Sequence, residues 1–288
     1  MDSFLQEYQR HPKLFIDLPS GGRYYDGSVI QDEQYVQIPV FGMNAMDEIM
    51  FKTPDALFSG EATAQVIKSC IPAILDPWKL VGFDIDYVLI AIRVATYGDE
   101  LPTITTCPHC KSESETTISL TKMLENYNSY ETEANFTIGD LTFHLHPITY
   151  KQMTDFSIEN YTNERTLLQI SGNASLTDDQ KNTMTKDLYM KISTLNLEVA
   201  VSYLNSITKM GQEEKDKTVI KEFVINNDAE FYNKLKDGIT ELSLRWKTPK
   251  VQVTCVDEEC NKEFQSSIDL DYSNFFGLKF LHSRNLIS

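Results

Sequence analysis

Apolar positions recur along this chain at two periods, and the changes of period divide it into segments. From Gly60 the residues Val66, Ile67, Cys70 and Ile71 fall at helical spacing. Thr53-Pro54 reads as another helix start, with Thr as the cap and Pro in the first turn. Asp84 is the expected cap of a stronger helix, whose apolar residues Ile85, Val88, Leu89, Ile92 and Ala95 lie along one face before a stop at Gly98. Beyond Gly98 the period becomes that of a strand. Residues 103–106 lead into Cys107-Pro108-His109-Cys110, and residues 115–120 lead out. A hairpin is predicted next, with Phe136 and Ile138, a Gly139-Asp140 turn, then Leu141, Phe143 and Leu145 alternating.

Residues 149–246 are expected to be mostly helical. Thr177 and Gln180 fit a capping box, and Phe231, Leu235, Ile239, Leu242 and Trp246 form one stripe. Polar residues 171–181 and 211–217 are the expected loops. A β-type segment returns at Lys250 and encloses Cys255 and Cys260. The predicted class is α+β: a small discontinuous zinc-ribbon-like β module with flanking helices and a large, mostly helical insertion. The predicted divisions are an N-terminal arm with short strands (1–50), helices with the first cysteine knuckle and the hairpin (51–148), the helical insertion (149–247), and the second knuckle with a C-terminal tail (248–288). The arm is turn-rich, and Tyr35 to Ile38 is its expected strand. It is also aromatic (Phe4, Tyr8, Phe15, Tyr24, Tyr25, Tyr35) and lacks a helical stripe. Two outcomes are open for it: a contact surface for a partner, or a segment folded across its own β module.

Composition narrows the function. A chain of 288 residues with 41% hydrophobic side chains can build a sizeable core. Its formal net charge of −16 repels phosphate backbones and anionic lipid heads, and no basic cluster offsets it. Neither nucleic acid nor a membrane is therefore an expected partner, and no small-molecule substrate is expected either. The apolar run from Tyr87 to Ile92 ends at Arg93, too short to span a bilayer. No secretory signal is read at the N-terminus, so the sequons at Asn135, Asn160 and Asn173 are given no glycosylation meaning. Five cysteines, an odd number, suit a reducing cytoplasm better than a disulfide scaffold.

Four of those cysteines form the most informative pattern. Thr106-Cys107-x-x-Cys110 and Thr254-Cys255-x4-Cys260 share their flanks: Ile118 and Leu120 follow the first at the same offsets as Ile268 and Leu270 follow the second. Two knuckles with two thiols each satisfy tetrahedral zinc and leave no open position for water. Cys107, Cys110, Cys255 and Cys260 are thus the expected ligands of one structural zinc per chain. The second knuckle's longer gap is unusual for such turns. His109 is expected to face solvent, and Cys70, on an apolar helical face, to be a small buried hydrophobe. Catalytic signatures are not found. Leu18-Pro19-Ser20-Gly21-Gly22 is read as a plain turn, not a phosphate cradle, and His144-x-His146 lacks a third ligand nearby. The acidic pairs Asp47-Glu48, Asp84-x-Asp86 and Asp257-Glu258-Glu259 suit caps or solvated faces, so no enzyme is expected.

The order of Leu18-Pro19-Ser20-Gly21-Gly22-Arg23-Tyr24-Tyr25, Met46-Asp47-Glu48, Thr53-Pro54-Asp55-Ala56-Leu57, Ile67-x-x-Cys70-Ile71, Asp86-x-x-Leu89-x-x-x-Arg93, Thr96-Tyr97-Gly98 and Cys107-x-x-Cys110 resembles baseplate proteins of T-even-type contractile-tailed bacteriophages, in particular their hub-assembly family. The resemblance covers roughly residues 13–120, is looser over the insertion, and resumes at Cys255 to Cys260 and Ser273-Asn274-Phe275-Phe276. It implies a non-enzymatic structural or assembly component of the baseplate hub. The implied partners are other baseplate and hub proteins, and the implied locations are the host cytoplasm during assembly and the virion tail baseplate. The competing readings are a zinc-ribbon regulatory or nucleic-acid-binding module, and a metal hydrolase using His144 and His146.

Overall fold

In the computed structural model, which describes residues 9–53, 58–127 and 134–267, helices and sheets are mixed and the chain divides into two units. Residues 1–130 and 248–288 make the first, and residues 131–247 make the second. The fold class is α+β.

The first unit is built on helix α3 (Gly82–Tyr97). The other early elements are strands β1 (Pro12–Ile16) and β2 (Ile38–Phe41) and helices α1 (Ala45–Met50) and α2 (Glu61–Cys70). β1 and β2 pair antiparallel, and both pack on α3. The stripe read from the sequence is buried, with Ile85, Val88, Leu89 and Ile92 fully enclosed, but Tyr87, Ile90, Ala91 and Arg93 are buried as well. The helix is therefore enclosed on most sides, whereas the spacing had predicted a single buried face. Each such Ile or Leu contributes about 1.5–3 kcal/mol by leaving water. Gly42 follows β2, where an added Cβ would sit 2.9 Å from the Ala95 carbonyl oxygen, so glycine is what permits this approach to the α3 backbone.

One outcome left open by the sequence is decided in this unit, and one expectation is corrected. Residues 9–41 are not a free arm: Ile16, Leu18, Val29, Ile30, Ile38 and Val40 are all buried in the unit's own core. Phe4 and Tyr8 lie outside the described residues, as does most of the helix expected from Thr53-Pro54. Asp84 is not a cap either, since the helix begins after Val81 and Asp84 lies in its buried first turn. Its carboxylate accepts hydrogen bonds from the Ser20 amide (3.1 Å) and the Tyr25 hydroxyl (2.6 Å), and that hydroxyl in turn accepts from the Val81 amide (3.0 Å). One buried carboxylate thereby fixes the turn containing Gly21 and Gly22 to α3. A second, Asp47, accepts from the Asn44 amide, the Ser69 hydroxyl and Arg10.

The β module comprises β3 (Glu100–Thr106), β4 (Glu113–Ser119), β9 (Val251–Thr254) and β10 (Glu263–Ser266), with the short helix α4 (Leu120–Glu125) after β4. β3 pairs with β4 and β9 with β10, each antiparallel, and β4 also contacts β9. Both strands of the first hairpin start earlier than the sequence pattern indicated.

The second unit has a four-stranded antiparallel sheet in the order β5 (Ala134–Ile138), β6 (Leu141–Leu145), β7 (Leu204–Lys209), β8 (Gln212–Glu214). Its helices are α5 (Tyr150–Gly172), α6 (Asp178–Tyr203), α7 (Lys217–Ile225) and α8 (Ala229–Ser243). Capping boxes at Thr149 and Thr177 start α5 and α6. The predicted hairpin is present; its Phe136 and Phe143 rings stack, and Phe143 meets Phe231 at a tilt. Residues 149–246 are interrupted by β7 and β8, which the helical expectation missed, and part of the expected loop 211–217 is strand. These short strands exist because β7 pairs with β6, a partner distant in sequence.

Burial raises the Asp84 carboxyl to about 6, against the hydrogen bonds from Ser20 and Tyr25 that act to lower it. The folded state thus holds its proton more tightly than an unfolded chain, where an Asp titrates near 4. This group's contribution to stability is fully present below about pH 4 and is lost as pH rises to about 6. Chemical denaturation of wild type and Asp84→Asn across pH 4–7 should show the difference in stability between them changing mainly in this window and levelling off above it.

Candidate metal centre

Strands β3 and β4 are joined through Cys107 and Cys110, and β9 and β10 through Cys255 and Cys260. In the first knuckle the Cys107 amide donates to the Ser112 carbonyl (3.0 Å), and the Lys111 amide donates to the Cys107 carbonyl (2.9 Å). The second repeats this scheme: the Cys255 amide donates to the Lys262 carbonyl (2.9 Å), and the Asn261 amide donates to the Asp257 carbonyl (2.8 Å). Lys111 and Asn261, each following the knuckle's last cysteine, both have left-handed backbone (φ 65° and 38°). The turn closing at Asn261 therefore starts at Asp257, where its counterpart starts at Cys107. The longer spacing of the second knuckle places Cys255 and Val256 ahead of an equivalent turn and leaves the turn itself intact. Asp257 also accepts from the Glu259 amide (3.0 Å), an Asx turn suited to that position.

This geometry brings the four sulfurs together. All lie within 4.8 Å of one another, with Cys107 3.9 Å from Cys260 and Cys110 3.5 Å from Cys255. Each close pair joins one knuckle to the other, across a large separation in sequence. Four thiolates at roughly 2.3 Å from one tetrahedral zinc would stand about 3.8 Å apart, so donor type and spacing both fit that ion. Cys107 and Cys255 are buried, Cys260 is half-buried and Cys110 is exposed. The Ser112 hydroxyl is 2.9 Å from the Cys110 sulfur, and this bond does most to lower the Cys110 thiol to about 6. Burial raises the Cys255 thiol. A cation placed among the sulfurs would favour the ionised form of each thiol, including the one that burial disfavours.

The other candidates stay apart from this cluster. His109 lies exposed within the first knuckle. Cys70 is fully buried, 3.9 Å from an Asp47 oxygen, and burial pushes its thiol up to about 12. His144 bonds to the Thr208 hydroxyl (3.0 Å) and His146 to the Pro147 carbonyl (2.5 Å). Among the described residues no other group of three or more His, Cys, Asp or Glu converges on one point. Asp86 accepts from Thr248 (2.9 Å), which fastens the returning chain to α3 within the first unit. Sequence reasoning overlooked that bond, as it did Ser112. Ile268 and Leu270 lie outside the described residues, so the matched flank is observed only as far as Ser266.

A family model described as "T4 bacteriophage base plate protein" matches residues 42–242. The chain belongs to this family. No curated protein and no solved structure matches it. The matched stretch contains Cys107 and Cys110 of this baseplate protein but stops short of Cys255 and Cys260. Family membership therefore gives no information about the second knuckle, and the case for a metal rests on the sulfur geometry.

A left-handed lysine costs about 1–2 kcal/mol, which glycine does not incur. Lys111→Gly should leave the baseplate protein as stable or up to about 1 kcal/mol more stable, and Lys111→Val should cost about 1–2 kcal/mol. Urea denaturation of the two variants would check this ordering.

Proposed function

We propose that this baseplate protein is a non-enzymatic structural or assembly component of the baseplate hub, and that one zinc ion holds its β module closed as a zinc ribbon. The observation that carries the reading is the convergence of four cysteine sulfurs, two from each piece of a discontinuous unit, in a chain of the phage baseplate family. Cys107, Cys110, Cys255 and Cys260 would hold the ion. When bound, it supplies neutralisation of thiolate charge and cross-linking. A saturated four-sulfur shell offers no position for a reacting water, which agrees with a building role. The hub is favoured over other parts of the baseplate by the motif order from Leu18 to Cys110. The partners would then be other baseplate and hub proteins, met in the host cytoplasm and retained in the tail. The charge of −16 and the isolated positions of Lys111 and Lys262 beside the knuckles weigh against nucleic acid.

Elemental analysis of protein purified under reducing conditions should find about one zinc per chain. Serine at any of the four ligands should remove the ion and cost at least about 2 kcal/mol, whereas Cys70→Ser should keep it. Metal-free protein with an unchanged melt would remove zinc from the account.

The assembly role is checked separately. Phage lacking this chain should accumulate incomplete baseplates, and peptide mass spectrometry of purified tails should detect it. Normal infectious tails made without it would refute the role.

A further inference from the structure

We infer that the outer edge of strand β8 is a docking site for an extended, basic strand of a partner protein. This deepens the assembly reading above and rests on it. The β7–β8 turn has two residues, Met210 and Gly211, with φ of 48° and 82°, as a type I′ hairpin requires. Such a turn makes Lys209 and Gln212 the hydrogen-bonded pair that closes it. The register then alternates: Thr208 opposite Glu213 is a non-bonded pair, and Ile207 opposite Glu214 is bonded again. The amide and carbonyl of Glu213 consequently point away from β7. Among the described residues no strand lies on that side of β8.

Beside this edge, under the sheet, runs a groove of about 440 Å³ between the sheet and α7. Its apolar lining comes from Leu141 and Ile207 on the sheet and from Val219, Ile220 and Phe223 on α7. Val219 is 46% exposed and Met210 is 91% exposed. A strand added to β8 would place alternate side chains over this groove, so backbone bonds and side-chain pockets would act together. Charge selects the occupant. At the edge, Glu213, Glu214 and Asp216 stand against Lys215 and Lys217; Lys215 pairs with Glu213 and Lys217 bonds to the Leu204 carbonyl, which leaves Glu214 and Asp216 without an ion pair among the described residues. A second copy paired antiparallel through the Glu213 amide and carbonyl would set that glutamate against its own image. A segment with apolar residues alternating with Lys or Arg meets both the groove and the acidic rim.

The test uses the full chain and two fluorescent heptapeptides, Lys-Val-Lys-Val-Lys-Val-Lys and its counterpart with Glu in place of Lys. The basic peptide should bind saturably and more weakly as salt rises, and the acidic one should bind at least tenfold more weakly. Glu213→Pro removes the outward amide and leaves the β7–β8 ladder intact, because proline is tolerated where an edge amide faces solvent. It should weaken the basic peptide at least tenfold. Val219→Asp, on an exposed helical position, should do the same if the proline variant fails to fold. Equal binding of the two peptides, or a folded Glu213→Pro that binds like wild type, would overturn the proposal. So would a dimer of the free chain that Glu213→Pro abolishes, since the occupant would then be a second copy. Incorporation into tails separates this from the broader reading: if Glu213→Pro and Val219→Asp both fold and both enter tails like wild type, the edge site fails while the baseplate role stands.

Discussion

The first unit depends on one closure, in which residues 251–266 must return to residues 100–119 after the chain has built a separate unit between them. Bringing two points so far apart in sequence together costs on the order of 4–5 kcal/mol before any contact forms. The returning piece is poorly equipped to meet that cost. β9 and β10 have four residues each, and a two-stranded hairpin is marginal in water. Val251, Val253, Cys255 and Phe264 are its buried apolar side chains, while ordering its backbone costs about 1–2 kcal/mol per residue. Besides those contacts, its attachments among the described residues include β9 against β4, Thr248 on Asp86, the Ser112 hydroxyl near the Cys255 sulfur and the four sulfurs. A soft metal ion held by those sulfurs would act where the closure is weakest.

The two units differ in how their cores are specified. In the first, buried polar groups fix loops to helices: Asp84 orders the turn at Ser20, and Asp47 gathers Arg10, Asn44 and Ser69. A carboxylate buried with its acceptors filled rejects alternative packings more strongly than an apolar side chain does, because any other arrangement leaves it unsatisfied. In the second, aromatic and aliphatic stacking dominates, with Phe143 between Phe136 and Phe231, and Tyr203 parallel to Trp246. Each unit therefore owns a core of its own kind, which lets the long insertion leave the discontinuous unit's packing intact.

What could be read in the sequence follows the range of the forces involved. The stripe from Ile85 to Ile92, the Phe136–Leu145 hairpin and the Thr177 capping box are local patterns, and all three are present. The cysteine grouping was legible despite its length because few chemistries need paired thiols with matched flanks. Asp84 was misread because an acid near a helix start suits a cap equally well, and its actual partners, Ser20 and Tyr25, are distant in sequence. β7 and β8 were missed for a similar reason: Leu204 to Lys209 pairs with β6, and nothing local distinguishes it from the end of α6. The turn-rich arm gave no helical stripe, yet Ile16, Ile30, Ile38 and Val40 reach the core as scattered single residues.

A building protein has to present edges without polymerising on itself, and the charge distribution bears on that problem. Short edge strands bearing charge resist pairing with copies of themselves. β8 has both properties, with three residues of which two are glutamates, and β10 begins with Glu263. A net charge of −16 adds a general repulsion between copies within a Debye length, about 8 Å at physiological ionic strength. Neither device discourages a partner of opposite sign; against such a surface the same carboxylates speed encounter and fix register. Like charge on every copy, with β8 an edge strand among the described residues, would thus favour association with a different chain over self-association, the selectivity that ordered growth of a mixed assembly requires.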